Sequence, residues 1–565
     1  VTGNIDVDGT TDLDGLTVAG NVSVDGGTIK LDGNYPTGTN NVALGNTALD
    51  DGSLSGGSNT AIGNAALTAN TSGEHNTATG RDALEANTTG SNNTAHGSLA
   101  LESNSTGGNN TAAGYTALRF CTTGSFNVAV GSVAMQANTT GASNTAVGYA
   151  ALDANTTGDS NTAIGQGSLG TQTNGANNVA VGRSAMNANT TGKSNTAVGY
   201  EALFSYDVTD NDHDYNVGVG FRAGKAISTG SQNIFIGGNS GAGGTITGSH
   251  NVGVGQNSMY NLTSGSSNTS IGGFAGSGHA LNDITTGSSN VAVGAGALHA
   301  NTTASSNTAL GTQALHANTT GALNTAVGAT SMDACTTASY NAAFGYAALG
   351  GVTTGNDNSA LGVDAGKDIS TGVGNACFGR AAGQYITTGS KNTIIGGYNG
   401  NEGSLDIRTA SNHIVLSDGD GNPRIYVTSD GSIVTPNMSS SASAMSNVKI
   451  DGGKELHIDS SARMTKSEIA DIDVGLAEVL TMQPRKFKRG SDFEVGFIAD
   501  EMVSVIPHVV MQGPKSALTN NIDDTEVIDL AIEYDKLVAV LTKAIQELKT
   551  ELDAAKARIA ALEAG

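Results

Sequence analysis

Along most of the chain, apolar and polar positions recur with a period of seventeen residues. A pentad of the form Asn-x-small-x-Gly starts at Asn41 and returns through Asn392, with a degenerate copy, NHIVL, starting at Asn412. These 22 copies leave 21 intervals, of which 16 are seventeen residues long and the rest longer, as loop insertions would make them. One unit, Asn144 to Ser160, reads NTAVGYAALDANTTGDS. TAVG and AALDAN predict short extended runs, while TTGDS and the pentad glycine predict turns. Two or more glycines in most units, with several Thr and Asn, disfavour a helix. The pattern therefore predicts a mainly β chain: an elongated β-solenoid, or β-roll, of seventeen-residue coils, each with two short strands and two turns. Coils pairing strand on strand would sit about 4.8 Å apart, so 21 intervals extend roughly 100 Å.

Phase within the coil assigns the faces. The pentad Asn forms one ladder, and a second Asn eleven positions later (Asn155, Asn189, Asn301, Asn318) forms another; stacked amides can hydrogen-bond along the axis. Nine residues after the pentad Asn the side chain is usually polar (Glu85, Glu102, Asp153, Asn187, His299, His316), which predicts a face toward water. In the strand, Ala146 and Val147 point to opposite faces, and neither face is polar. One fills the coil interior; the other calls for a second subunit. This predicts side-by-side association, with a homotrimer as the leading choice.

Composition narrows the function. Glycine supplies 80 of 565 residues, hydrophobic residues 38%, aromatics 4%, and there is no tryptophan, which argues against an enzyme of several compact, aromatic-rich domains. With 13% charged residues and 6 prolines the profile is not that of a disordered chain, and glycine does not follow the collagen period. No apolar run reaches 18 residues. The net charge of −24 opposes nucleic-acid binding. Three cysteines make no disulfide framework; Cys121, Cys335 and Cys377 read as free thiols in small ladder sites. Asp-rich turns at Asp6, Asp8 and Asp12, and at Asp418, Asp420 and Asn422, read better as solvated turns than as calcium sites. His299 and His316 share a phase and are expected to stack, without further ligands for a metal. No cofactor and no metal site is expected, and no pair of carboxylates at glycosidase spacing is recognisable. The first residues, VTGNIDVDGT, have neither an initiator Met nor a signal-like region, so Val1 is expected to follow a processing cut or to begin inside a longer chain.

Outside the repeats, residues 1–40 alternate short β runs with Asp-Gly turns and read as a β-rich leading segment of the shaft; the repeats fill 41–400. Residues 401–445 hold two strand-like runs around a turn and a Ser-rich joint. Residues 446–565 change character, with more charge and more helix formers, and predict a small α+β domain. Its last helix places Leu541, Ile545, Leu548, Leu552, Ala555, Ile559 and Leu562 at alternating steps of four and three, a coiled-coil seam over about 538–562. A helix packed on its own domain is the alternative.

The NTAVGYAAL and NNVAVG coils resemble the head repeats of trimeric adhesins of the YadA type, and similar repeats appear in bacteriophage tail fibres. The C-terminal block, with Ser461–Lys466, Pro484–Lys488, Gly496–Met502 and Glu533–Leu537 in that order, resembles the intramolecular chaperone of phage endosialidases and tail fibres. That resemblance implies a phage tail fibre in the virion. It would be structural and receptor-binding, assembled as a homotrimer with other tail proteins, and directed to a glycan or protein on the host surface. It further implies that Ser461 is a nucleophile and Lys466 its base in a single self-cleavage before Ser461; a serine hydroxyl needs such a base, and desolvation suits lysine to the role. Where the family carries Asp and Arg, this chain has Ala462 and Met464, which predicts slow or absent cutting; otherwise Ser461 is a helix N-cap. The longer inserts, with Tyr206, His213, Tyr215 and His279, are candidate contact loops. No activity on an external substrate is evident. A tailspike polysaccharide depolymerase and a bacterial trimeric surface adhesin stay open as alternatives.

Overall fold

The computed structural model describes residues 39–207, 214–273 and 278–436, and, further on, 448–450, 456–458, 476–489, 492–496, 505, 510–514, 528–532 and 534–563. The chain divides into two units, Val1–Met438 and Ser439–Gly565. The first is mainly β. Twenty-one strands of three residues, from Val42–Leu44 to Thr393–Ile395, each pair in parallel with the strand one coil away. The register follows the repeat: Thr145 faces Thr162, Ala146 faces Ala163, and Val147 faces Ile164. The longer coils keep it too, since Thr196 pairs with Val217 and Thr269 with Val291, so inserted residues are absorbed outside the strand.

The strand's central residue points inward. Ala146, Ala151 and Leu152 are buried completely, together with Asn144 and Asn155. One small coil thus encloses two alanines, a leucine and two amides. The amides are fully used. Asn144 takes the N–H of Asn161 on its Oδ1 at 2.9 Å and donates from Nδ2 to the carbonyl of Gly158 at 2.8 Å. Asn155 donates to Asn138 Oδ1 at 2.8 Å and to the same Gly158 carbonyl at 3.0 Å. The second ladder therefore runs amide to amide, as the stacking argument expects, while the pentad ladder runs mainly from amide to backbone.

Two expectations are corrected. AALDAN forms no second strand: residues 149–154 are consecutive turns, with Ala150 at φ 50° and Leu152 at φ 55°. Six extended residues would reach about 20 Å, too far to wrap a core of this width, so the chain curls instead. Left-handed alanine and leucine cost about 1–2 kcal/mol each. Inter-coil bonds that continue through the turns, such as Leu152 N–H to the Ser168 carbonyl at 2.9 Å, offset that cost. The last copy is also shifted by one residue: His413, rather than Asn412, occupies the pentad ladder and donates its N–H to Asn392 Oδ1 at 3.0 Å. Strand Ile414–Ser417 then continues the parallel stack, and Pro423–Val427 and Ile433–Val434 add to it antiparallel.

In the second unit, strands Arg485–Arg489 and Asp492–Gly496 form one hairpin and Val510–Pro514 pairs with Ile528–Ile532. The helix Tyr534–Glu563 buries Val540 and Ala544. A short helix, Leu476–Val479, packs on it, its first N–H held by Glu547 Oε2 at 2.6 Å. The packing on its own domain holds for the first part of the last helix, and the seam residues Ile545, Leu548, Leu552, Ile559 and Leu562 stay exposed.

Candidate functional site

Strand alternation fixes what the solenoid presents outward. The first and third residues of each strand face away from the core, and none of these positions in the 21 coils is Asp, Glu, Lys or Arg. The third position is aliphatic or aromatic in nearly every coil: Ile164, Val198, Ile236, Ile271, Leu310, Phe344 and Phe378 are all exposed. On a chain of net charge −24, this is an apolar column interrupted at Thr79 and His96, and all-parallel sheets ordinarily cover both faces. The sequence showed this face; its extent is what the structure adds.

A second outward column was missed. The residue after each pentad glycine runs Tyr149, Gln166, Arg183, Tyr200 and Phe221 over five successive coils. Tyr200 and Phe221 stack with centroids 5.4 Å apart and planes 10° apart. The Arg183 guanidinium lies 5.8 Å from the Tyr200 ring, and that of Arg222 lies 5.9 Å from Tyr200 and 4.9 Å from Phe221. Glu201 takes Arg222 at 3.0 Å and Lys225 at 2.6 Å, and these hydrogen bonds, led by that from Lys225, hold its carboxyl below the usual range. The signal available in the sequence was the phase itself, six residues into each coil.

The proposed contact loops fare unevenly. Tyr206 is fully buried: it lies eleven residues after Asn195, in the inner amide ladder, so it is a core residue and not a surface contact. Tyr215 is exposed, with a left-handed φ of 51°. His213 lies outside the described residues, as do Ser461, Lys466, Ala462, Met464 and residues 1–38. His279 accepts from Asn257 Nδ2 at 3.0 Å, and its carbonyl lies 3.1 Å from His299 Nδ1. His299 stacks on His316 at 5.2 Å, as expected from their shared phase. Burial first, and His299 second, push His279 below the ordinary histidine range. A folded value below the unfolded one means stability present above the unfolded value and lost as pH falls. Amide exchange at 278–299 should therefore accelerate as pH falls below about 6.5 relative to coils 144–178, and His279→Asn should remove the difference.

Asp153, expected to face water, is half-buried, and desolvation raises its carboxyl. The three cysteines are buried ladder residues; burial pushes Cys121 to about 11 and Cys335 and Cys377 to about 12. Reactive thiolate is scarce at such values, so native protein should resist a maleimide at pH 8 and take three labels only after denaturation. Among the described residues no group of His, Cys, Asp and Glu is placed to hold a metal, and no helix is long and apolar enough to cross a membrane.

Comparison with protein-family models, with characterised proteins and with solved structures gave no match. The fold and its surfaces define a parallel β-solenoid of seventeen-residue coils with an uncharged outward strand face, followed in the chain by an α+β unit with a long helix.

Proposed function

We propose that this chain is the shaft and C-terminal part of a homotrimeric bacteriophage tail fibre, a structural protein that carries attachment to the host surface. The observation that carries the reading is the uncharged apolar column on the strand face: chains of net charge −24 can approach one another side by side only through such a surface. The exposed seam of the helix Tyr534–Glu563 supports it, because heptad seams bury themselves against copies of the same helix. The order of motifs in the C-terminal block supports an intramolecular chaperone. In this reading the chaperone aligns three chains before the coils close and leaves the solenoid as a rigid support for receptor contacts.

Sedimentation velocity of the full chain tests the assembly: three chains of 56.2 kDa give a particle of about 170 kDa with a high frictional ratio. A compact 56 kDa species overturns the reading. The chaperone step has its own readout. If Ser461 and Lys466 act together, purified protein releases a fragment from Ser461 to Gly565, Ser461→Ala abolishes it without loss of assembly, and Ala462→Asp with Met464→Arg speeds it. Intact protein in all three cases removes the self-cleavage and leaves a permanent clamp.

A further inference from the structure

The column Tyr149, Gln166, Arg183, Tyr200 and Phe221 gathers three rings and an arginine at one phase of five successive coils. It runs along the solenoid axis, one residue per coil, over roughly 20 Å at about 4.8 Å per step. Tyr149 and Phe221 are exposed, Gln166 and Arg183 are exposed between them, and Tyr200 is half-covered by its neighbours. Glu201 is already shared by Arg222 and Lys225, so the group of Arg183, Arg222, Lys225 and Glu201 carries an excess of two positive charges. Arg183 itself has no ion-pair partner among the described residues; its guanidinium rests over the Tyr200 ring. A planar fork of donors beside an aromatic ring is suited to a carboxylate, and the Tyr200 and Phe221 rings, whose faces are taken up by each other and by Arg183 and Arg222, present apolar edges beside it.

The backbone decides what kind of polymer can use this strip. The amides here are committed to neighbouring coils, as in Gly182 N–H to the Ile164 carbonyl and Gly199 N–H to the Val181 carbonyl, each 2.7 Å. A peptide therefore cannot add as a further strand, and recognition must proceed through side chains alone. We propose that this column is a binding strip for a linear, carboxylate-bearing polysaccharide, with Arg183 holding a carboxylate and the Tyr200–Phe221 stack and Tyr149 contacting sugar faces on either side. The inference rests on the host-attachment reading for its setting, and it names the ligand class.

Isothermal titration of the full chain with polygalacturonate tests it, with neutral dextran and a poly-glutamate peptide as competitors. Polygalacturonate should bind, and dextran and poly-glutamate should not displace it. Arg183→Gln should weaken binding at least tenfold, and Tyr200→Ser at least threefold, with unchanged melting. Arg183→Lys keeps the charge without the planar fork and should still lose severalfold. Arg380→Gln, at an exposed arginine of the same phase in a distant coil, should have no effect. Absence of binding, equal loss in the Arg380 variant, or displacement by poly-glutamate each overturns the proposal. Binding to host cells that survives Arg183→Gln leaves attachment standing and removes the strip; polygalacturonate binding without cell binding does the reverse.

Discussion

Gly148→Ala is expected to destabilise the solenoid by roughly 2–5 kcal/mol, while Gly158→Ala, ten residues on in the same coil, should cost under about 1.5 kcal/mol. Both glycines lie against the next coil. A Cβ on Gly148 would fall 2.7 Å from both the carbonyl carbon and oxygen of Gly165, and one on Gly158 would fall 2.2 Å from the Gly175 oxygen. Space alone would rank the second as worse. Conformation reverses the order, because Gly148 has φ +135°, a region that side chains rarely adopt, and Gly158 has no positive φ. The chain carries its own control: Ala304 and Ala338 occupy the Gly158 phase in other coils and are buried there, whereas all 21 pentads from Asn41 to Asn392 end in glycine. Urea midpoints of the two variants, supported by amide exchange across 144–178, make the comparison. Equal losses would refute the conformational account.

Asn144→Ala should cost about 2–4 kcal/mol through polar groups left buried without partners. The Asn161 N–H loses its acceptor, and the Gly158 carbonyl keeps only Asn155. Asn155→Cys should be far milder, near 1 kcal/mol, since Cys121 and Cys335 already stand in that ladder, with Cys121 Sγ 3.5 Å from the Gly124 carbonyl. Asn144→Asp separates the acceptor from the donor role. Its oxygen can still receive the Asn161 N–H, but a carboxylate cannot donate to Gly158. Burial would raise the folded carboxyl above its unfolded value, so the penalty should be small below the unfolded value and grow as pH rises. Melting curves from pH 4 to 8 read this directly, and a pH-independent loss would contradict it.

Much of the architecture was legible because the period is carried by side chains that meet their own copies. A pentad Asn needs another Asn one coil away, so sequence spacing and spatial contact coincide, and the strand register followed at once. Left-handed Ala150 and Leu152 were not legible. Neither residue favours that conformation locally, and only the inter-coil amide bonds make it stable. Tyr206 was misread for another reason: its neighbourhood looked like a loop, although counting eleven from Asn195 places it inside. The Arg183–Tyr200–Phe221 stack was hidden by the same habit of reading along the chain, since its members are 17 and 21 residues apart.

The reversal of strand direction after Ile414–Ser417 bears on how many coils a shaft can have. A stack of parallel coils has a free edge that can accept another molecule's first coil and continue indefinitely, the same geometry that lets fibrils grow. Pro423–Val427 and then Ile433–Val434 cover that edge with antiparallel pairing, so the last strand is two residues long and too short to template another coil. Growth at this end is therefore arrested by the fold. The solenoid is a ruler whose length is written in whole coils: removal of one seventeen-residue unit should shorten it by about 4.8 Å and leave both of its neighbours in register.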